Sequence, residues 1–410
     1  MLGAIADDFT GATDLAIMLR RNGYRVAVAI EEHDPGASAR TGLDALVIAL
    51  KTRTAPAGDA VASSRGALDR LRSWGAEQIY VKYCSTFDST DEGNIGPVLD
   101  MVSEELGAER VVVAPALPAN GRTVYHGHLF VGGDLLEHSS MRHHPLTPMT
   151  RSRVADLLRP QTRYAVAEIH HETVRQGPQA VRAAIAAAPA RYVVVDTIDD
   201  EDLRVLGAAV AGSTLVSGGS GLACGLPSPG TTADTWSPGQ GASRVVLCGS
   251  ASATTRRQIA AAARTQPVRR IDPATAVRDP EKEIDAITQW VQAQPAGTAP
   301  VVYAAGEQAD LVHEVDGRPV APAVEHVLAR AARRLVGQAG ITRLLIAGGE
   351  TSGAIVRALG IGLLRIGPEI ATGVCWSSAD TAGGETVALA LKSGNFGPDH
   401  LFTSAWDRLA

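Results

Sequence analysis

The sequence has few lysines, few aromatic residues and no excess of positive charge. Only four of its 38 basic residues are lysines, namely Lys51, Lys82, Lys282 and Lys392. Lysine carries a compact point charge. In a chain that otherwise uses arginine, each lysine therefore suggests a position that needs such a charge. Acidic residues outnumber basic ones by 44 to 38, and aromatic residues make up 4% of the chain. No basic stretch with interleaved aromatics occurs, which argues against a nucleic-acid partner.

Cysteine pairs and long apolar runs are also missing. The four cysteines are far apart and form no CxxC pair, as expected of reduced thiols in a cytosolic protein. No run of 18 apolar residues predicts a membrane span, and no charged leader precedes the first apolar segment. The expected location is therefore the cytoplasm, and no membrane partner is expected.

Apolar strands alternate with helical segments through the whole chain, which predicts an α/β protein with largely parallel sheets. A segment rich in Pro, Gly, Ser and Thr at 229–243 predicts a linker. It separates a first domain at 1–228 from a second at 244–410, with a ligand cleft expected between them. Residues 115–150 lack periodicity and predict a long functional loop.

An acidic pair, Asp7 and Asp8, follows the first predicted strand and precedes a helix. A carboxylate there can cap the helix, accept a substrate hydroxyl, act as a general base or hold a metal. Ligands of parallel sheets bind beyond the carboxyl ends of the strands. Asp8 is therefore the candidate catalytic base, and Asp7 is a candidate substrate-binding residue.

Other polar residues follow further predicted strands of the first domain. They suit a small hydroxylated carboxylate, because Arg binds carboxylates with paired hydrogen bonds. His126-Gly127-His128 could suggest a metal site, but on a loop nothing fixes the two histidines, so no metal ligand set is predicted and one histidine is expected to hydrogen-bond the substrate. The substrate-binding candidates at these strand ends are Lys51, Arg53, Lys82, Ser85, Thr86, Asn120, Arg122 and His126.

The second domain carries three turns rich in small residues, each after an apolar strand. Their glycines allow close backbone approach, and Thr351 and Ser352 are expected to cap a helix whose positive end suits phosphate. Neither a GxxxxGK[ST] loop nor an N-terminal GxGxxG occurs, which excludes a P-loop enzyme and disfavours a Rossmann dehydrogenase. The ATP-binding candidates are Ser250, Ser252, Gly348, Gly349, Glu350, Thr351, Ser352, Gly353, Lys392, Gly394 and Asn395.

Taken together, these motifs resemble the four-carbon acid sugar kinase family, and most of all its 3-oxo-tetronate 4-kinase branch. The resemblance is carried by IADDFTGATD, LKTR, KYCSTFDST, GNIGPV, PALPANGRTVYHGHLFV, MRHHPLTPMT, GGSGL, AGGETSG, IGPEI and LALKSGNFG. It implies a sugar-acid-binding domain followed by a nucleotide-binding domain. It also implies transfer of phosphate from ATP, with Mg²⁺, to the 4-hydroxyl of 3-dehydro-L-erythronate or 3-dehydro-D-erythronate.

The chain departs from the family pattern at three places. Ala251 replaces the cysteine of Ser-Cys-Ser, and Arg151 replaces an aspartate, which should alter the rim of the sugar domain. Thr372 to Trp376 lack two prolines of the family's Pro-Gly-Val-Pro-Trp, which should loosen a loop.

Two other functions are compatible with the sequence: a D-threonate or D-erythronate kinase, and a non-catalytic sugar-acid sensor with a nucleotide effector. The expected partners are a sugar acid and ATP, and a homodimer is the assembly to test.

Overall fold

A computed structural model describes residues 1–30, 33–144, 147–230 and 236–409. The chain divides into two compact units, residues 1–234 and 235–410. The predicted linker contains residues 231–235, which lie outside the described ranges, so its boundaries stay a prediction. No helix within the described ranges is long and apolar enough to cross a membrane.

The first unit is built on an eight-stranded sheet in which every neighbouring pair is parallel, in the order β2-β3-β1-β4-β11-β5-β10-β9. Its central strands are buried along their length, as strands covered by helices on both faces must be. The strands of the unit, including three outside this sheet, are β1 (Leu2–Ala6), β2 (Val26–Ile30), β3 (Ala45–Ala49), β4 (Gln78–Lys82), β5 (Val111–Ala114), β6 (Arg122–Tyr125), β7 (His128–Val131), β8 (Asp134–Leu135), β9 (Val166–Ile169), β10 (Tyr192–Val195) and β11 (Leu215–Gly218).

Helices join most of these strands, as the alternating pattern predicts. They are α1 (Phe9–Arg21), α2 (Gly36–Arg40), α3 (Ala57–Ser73), α4 (Ile95–Glu105), α5 (Val154–Leu158), α6 (His171–Val174), α7 (Pro178–Ala187), α8 (Asp200–Ala209) and α9 (Gly221–Gly225). Short 3-10 helices cover Pro118–Asn120, Leu136–His138, Ser140–His143 and Arg159–Gln161.

The prediction of a long loop at 115–150 was wrong for the described residues; Pro145 and Leu146 lie outside them. Strands β6, β7 and β8 form a small antiparallel sheet of their own. Its first turn consists of His126 and Gly127, with φ of 46° and 72°. Two central residues with positive φ are the mark of the tight hairpin turn whose twist matches the strands. The His-Gly pair was the local signal that sequence reasoning overlooked.

The second unit has a mixed sheet in the order β13-β14-β12-β17-β20-β19-β18, parallel as far as β20 and antiparallel beyond it. A separate hairpin pairs β15 with β16. The strands are β12 (Arg244–Cys248), β13 (Val268–Arg270), β14 (Val301–Tyr303), β15 (Glu314–Val315), β16 (Arg318–Pro319), β17 (Arg343–Ala347), β18 (Leu363–Ala371), β19 (Val374–Asp380) and β20 (Thr386–Lys392).

The helices of this unit are α10 (Ala253–Ala262), α11 (Pro273–Arg278), α12 (Pro280–Gln292), α13 (Val320–Ala339), α14 (Gly349–Ala358) and α15 (Leu401–Ser404), with 3-10 turns at Gln308–Asp310 and Ala405–Leu409. The expectation of a loosened loop at 372–376 is wrong from Val374 onward, where β19 begins. Cys375 and Trp376 lie in β19 and are buried, and the Trp376 ring packs on Trp406 with ring centres 5.4 Å apart.

Candidate active site

Two carboxylates and one guanidinium form a network where β1 and β3 end. Arg53 Nε and Nη2 donate to Asp7 Oδ2 and Oδ1 at 2.9 and 2.8 Å. Arg53 Nη1 lies 2.8 Å from Asp8 Oδ2. Although burial by itself lowers the pKa of Arg53, the two carboxylates raise it above its ordinary value. The guanidinium is therefore always charged, and Asp7 fixes its orientation through a bidentate pair.

Asp8 is at once the cap of a helix and a member of this network. It is the N-cap of α1, and its Oδ1 accepts a hydrogen bond from Gly11 N at 2.5 Å. Burial raises the pKa of the Asp8 carboxyl above its ordinary value, and the negative charge of Asp7 adds to the rise. Arg53, Lys82 and the Gly11 N–H oppose that shift without cancelling it. Such a carboxylate is more basic than a solvated one.

Lys82 brings a second positive charge to the same point. It is the last residue of β4, is 3% exposed, and its Nζ donates to Tyr83 O at 2.9 Å. A methyl group added at Gly11 would lie 2.5 Å from Asp8 Oδ1, 3.2 Å from Lys82 Nζ and 3.4 Å from Arg53 Nη2. The three charged groups thus surround Gly11, a residue that the sequence analysis did not single out.

Asn94 fixes the turn that carries Arg53. Although Asn94 stands at the N-cap of α4, its side chain makes no capping hydrogen bond. Its Nδ2 instead donates to the carbonyls of Thr52 at 2.7 Å, Ala55 at 3.0 Å and Arg53 at 3.5 Å. Asn94 is 7% exposed, so these bonds are sheltered from water. Sequence reasoning assigned no role to this residue.

The loop after β4 is stabilised by its own side chains. Thr86 Oγ1 donates to Asp88 Oδ1 at 2.5 Å, and Cys84 Sγ lies 3.0 Å from Thr86 Oγ1. Burial raises the pKa of the Cys84 thiol to about 11, with Asp88 adding to the rise. Cys84 is therefore a neutral thiol at pH 7 and not an activated nucleophile.

Glycines at the end of β11 and directly after it let the ends of three strands meet. A Cβ at Gly218 would lie 2.4 Å from Ala114 O, and one at Gly219 would lie 2.4 Å from Pro115 O and 3.4 Å from Ser85 Cα. Only residues without a side chain permit this approach. It places Ser85, after β4, beside the segment after β5 that leads to Asn120 and Arg122.

The structure places the remaining substrate-binding candidates differently. The Lys51 side chain is exposed and has no hydrogen-bond or ion-pair partner among the described residues. Arg122 Nη1 donates to Asn120 O, next to the β6 strand. The His126 ring lies 5.1 Å from the His170 ring, centre to centre, and its Nε2 lies 3.9 Å from Glu172 Oε1. No described contact joins His126 to Asp8.

In the second unit, the three small-residue turns follow adjacent strands. Cys248 of β12 pairs with Ala347 of β17, which pairs with Lys392 of β20. Because parallel strands end at one edge, the turns after these residues lie side by side. A Cβ at Gly249 would lie 2.0 Å from Thr351 Oγ1, and one at Gly348 would lie 3.2 Å from Ser250 N.

Hydroxyl groups connect two of these turns. Ser252 Oγ donates to Gly394 O at 2.6 Å, and Thr255 Oγ1 donates to the same oxygen at 2.9 Å. Thr255 Oγ1 also lies 3.2 Å from Ser250 Oγ. Thr255 is fully buried and was missed by sequence reasoning, although Ser252-x-x-Thr255 is the start of α10, where Ser252 Oγ accepts from Thr255 N. Asn395, next to Gly394, is exposed.

Lys392 lies beneath this hydroxyl network. It is 2% exposed, and its Nζ donates to Thr255 Oγ1 and Gly394 O, both at 3.0 Å. Burial lowers the pKa of Lys392 from 10.5 to about 8. No carboxylate is among these partners to offset the cost of burying the ammonium. With a pKa of about 8, Lys392 is still mostly charged at pH 7 and brings its positive charge close to the turns.

The helix after β17 begins earlier than predicted. Its N-cap is Gly348, with φ of 125°, and not Thr351 or Ser352, which lie within α14. Glycine tolerates this conformation, which turns the chain sharply at the strand end. The N–H groups of Gly349, Glu350 and Thr351 therefore form the open positive end of the helix. Gly353 lies one turn further on, and Ser352 Oγ is buried without a partner in the described parts of the chain.

The described residues contain no group of three or more His, Cys, Asp or Glu side chains arranged to hold a metal. Glu350 brings an acidic side chain to the small-residue turns of the second unit, and it is exposed in the first turn of α14. One carboxylate suits Mg²⁺ when the other ligands are phosphate oxygens and water.

Two family models match the chain, one to each unit. A model for a sugar-binding N-terminal domain matches residues 2–226, and one for a nucleotide-binding C-terminal domain matches residues 245–402. Together with the fold, they define a two-domain α/β phosphotransferase.

Comparisons with known proteins over the full length of the chain agree with this assignment to the phosphotransferases. A curated relative from Pseudomonas fluorescens Pf-5, named 3-oxo-tetronate kinase, is 45% identical over 424 residues, covering 100% of this chain and 97% of the relative. A solved structure from Salmonella typhimurium LT2, described provisionally as a tRNA synthase, has a TM-score of 0.92 and 41% identity, with 98% of each chain covered. One from Haemophilus influenzae has a TM-score of 0.88 and 37% identity over both whole chains. The chain belongs to the four-carbon acid sugar kinase family and is a kinase.

Proposed function

We propose that this chain phosphorylates the 4-hydroxyl of a 3-oxo-tetronate, either 3-dehydro-L-erythronate or 3-dehydro-D-erythronate, with ATP as the donor. The observation that carries the proposal is the full-length relative named 3-oxo-tetronate kinase, at 45% identity. Two polar sites at the carboxyl ends of parallel strands support it. Residues 1–228 would bind the sugar acid and residues 244–410 the nucleotide, joined by the linker 229–243. The cytoplasm, where ATP is available, is the proposed compartment.

Lys82 is the cation that we assign to the substrate carboxylate. Its Nζ is buried and donates to Tyr83 O, which leaves N–H groups for a ligand because an ammonium has three. Arg53 is already held by Asp7 and Asp8, so its role is to set their geometry and to add positive charge. Ser85, Thr86, Asn120, Arg122 and His126 remain proposed substrate contacts, and the exposed position of Lys51 makes it the weakest of them.

Asp8 is the proposed general base for the 4-hydroxyl. Its carboxylate has a raised pKa, caused first by burial, which brings its basicity closer to what proton transfer at neutral pH requires. Its Oδ1 accepts one hydrogen bond from Gly11 N, its Oδ2 forms an ion pair with Arg53 Nη1, and both oxygens retain capacity for a substrate hydroxyl. The proton would move to Asp8 as the hydroxyl oxygen bonds to the γ-phosphorus and the bond from that phosphorus to the β–γ bridging oxygen breaks, which releases ADP.

The turns of the second unit are proposed to bind the ATP phosphates through Ser250, Ser252, the N–H groups at the start of α14 and the Gly394-Asn395 turn. The charge of Lys392 would stabilise the phosphates from below. Mg²⁺ would be held by Glu350 and phosphate oxygens, and when bound it neutralises phosphate charge during transfer.

Coupled ADP release on a panel of four-carbon acids tests the proposal. Release should be fastest with one of the two 3-oxo-tetronates and should depend on added Mg²⁺. Faster release with D-threonate or D-erythronate would reassign the substrate. No release with any acid, despite measured binding of acid and ATP, would identify a non-catalytic sensor. Sedimentation of the same sample would show whether the chain forms a homodimer.

A further inference from the structure

A groove on the surface of the second unit contains four arginine side chains. Its volume is about 740 Å³, and it lies between the second half of α13, the end of α14 and the turn that joins β19 to β20. The arginines are Arg330, Arg333, Arg334 and Arg357, and Glu385 supplies the one carboxylate of the described lining. The whole chain has a net charge of −6. The groove is therefore a local excess of positive charge, which attracts anions whatever the total charge.

The groove is separate from the proposed phosphate site. Helix α14 starts beside the small-residue turns at Gly349, and its last residue, Ala358, lines the groove. The turn at 381–385 precedes β20, whereas the turn after Lys392 follows it. The two sites thus lie at opposite edges of the sheet. None of the residues proposed to bind ATP belongs to the described lining of the groove.

Two of the four guanidinium groups are already paired with carboxylates of α12. Arg334 Nη2 donates to Glu281 Oε2 at 2.6 Å, and Arg334 Nη1 donates to Asp285 Oδ1. Arg330 Nη2 lies 3.3 Å from Glu281 Oε1. These acidic residues offset the charge of both arginines, so the positive charge that is open to a ligand comes from the other two.

The guanidinium groups of Arg333 and Arg357 are exposed and have no hydrogen-bond or ion-pair partner among the described residues. The carboxylate of Glu385 does not serve them, because it accepts a hydrogen bond from Thr381 Oγ1 within its own turn. A cation in the last turn of a helix is stabilised by the helix dipole, which would account for Arg357 alone. Arg333 lies before the last turn of α13 and gains little from that effect. Helix stability therefore does not explain the pair.

Two unpaired guanidinium groups in one groove define the chemistry of a ligand. Each has five N–H donors in a fixed plane and binds a carboxylate or a phosphate through two parallel hydrogen bonds. The volume of the groove lies within the range of small-molecule sites, about 300–1,000 Å³. We propose that this groove binds a small organic dianion, with one carboxylate or phosphate group on Arg333 and the other on Arg357. The site goes beyond the proposed kinase reaction and does not depend on it.

Chemical modification resolved to single residues tests the proposal. Phenylglyoxal reacts with free guanidinium groups, and peptide mass mapping measures the rate at each arginine. Saturating 2-phosphoglycolate or succinate should slow the modification of Arg333 and Arg357 several-fold, whereas the monoanion glycolate should slow it much less. The control is Arg264, an exposed arginine after α10 that has no partner among the described residues. It should react at the same rate in all samples.

The two dianions also separate the two classes of ligand. Stronger protection by 2-phosphoglycolate would assign a phosphate group to the groove, and stronger protection by succinate would assign a dicarboxylate. No protection of Arg333 and Arg357 by either dianion, or equal protection of Arg264, would overturn the proposal.

Removal of both charges gives a second test. Arg333→Gln combined with Arg357→Gln should lower the affinity for the more protective dianion at least about tenfold by titration calorimetry. Arg264→Gln, the matched control, should leave that affinity unaltered. Unchanged affinity in the folded double variant would contradict the proposal. Neither experiment contains ATP or a sugar acid, so a failure to phosphorylate 3-oxo-tetronates would leave these binding results, and the inference, intact.

Discussion

The first unit builds its candidate site from charged side chains, whereas the second builds its site from hydroxyls, glycines and backbone groups. In the first, Arg53 contacts both Asp7 and Asp8, and Lys82 lies close by. In the second, Ser252, Thr255 and Gly394 share hydrogen bonds above one buried lysine. Both sites lie at the carboxyl ends of parallel strands, so the sheet supplies the location and the turns supply the chemistry.

The contrast teaches how each site prepares for its ligand. Paired charges hold one another rigidly and can shift the pKa of a neighbouring group, which proton transfer needs. Backbone N–H groups at a helix end attract an anion without a mobile side chain, which phosphate binding needs. The first site is thus suited to acid–base chemistry and the second to holding a multiply charged group.

The largest effect on turnover is expected from Asp8→Asn. Asparagine still caps α1, but it cannot accept a proton, so turnover should fall by about 10²–10⁴-fold. ATP affinity, measured by calorimetry, should not change. Asp59→Asn, an exposed aspartate at the start of α3, is the matched control and should leave turnover unaltered. Near-normal turnover of Asp8→Asn would remove its assignment as the base.

Two glycine substitutions should separate the sites. Gly11→Ala places a methyl group among Asp8, Lys82 and Arg53, and should raise the KM for the sugar acid about tenfold or more while sparing ATP. Gly249→Ala places a methyl group against Thr351 and should raise the KM for ATP while sparing the sugar acid. Gly66→Ala, in the middle of α3 with open space around it, should stabilise the fold by roughly 0.5–1 kcal/mol and change neither constant. The same pattern of loss from both substitutions would show that the sites are not independent.

Lys392 should make stability depend on pH. Burial lowers its pKa to about 8 in the folded chain against 10.5 when solvated, so between these values the unfolded chain binds the extra proton. The free energy of unfolding should therefore rise across about pH 8 to 10.5, relative to Lys392→Met, by on the order of 1–3 kcal/mol. Below pH 8 the difference should stay constant.

The measurement is urea unfolding of the wild-type chain and of Lys392→Met across this pH range. Saturating ATP should flatten the pH dependence of the wild-type unfolding free energy, because bound phosphates favour the charged ammonium of Lys392. Parallel curves without ATP would mean that Lys392 titrates normally and is less buried than described.

The smallest effect is expected from Arg151→Asp, which restores the family's usual residue. Arg151 pairs with Asp91 at the surface and donates to Asp156 O at 3.2 Å. Exposed pairs contribute little, so stability should change by less than about 1 kcal/mol, and turnover should stay within about twofold. A large gain in turnover would place this rim position in substrate binding.

Strand and helix positions were largely predictable because parallel strands buried on both faces give short, continuous apolar runs. The run Val111–Ala114 is one of these and forms β5 over its whole length. Beginnings of helices were less predictable: Gly348, and not Thr351, caps α14, since a positive φ at a strand end can replace a capping side chain. The hairpin at His126-Gly127 was missed because its turn was not recognised, and the site roles of the named residues remain predictions.

By itself, the sequence determined the α/β class, the kinase family and most of the polar residues that gather at the strand ends, because these depend on local pattern and motif. Only the tertiary structure decided which of them meet. It joined Arg53 to Asp7 and Asp8, brought Gly11 between the charges, left Lys51 exposed, and added Asn94 and Thr255. The reason is physical: contacts between residues distant along the chain depend on strand order and register, which no local motif records.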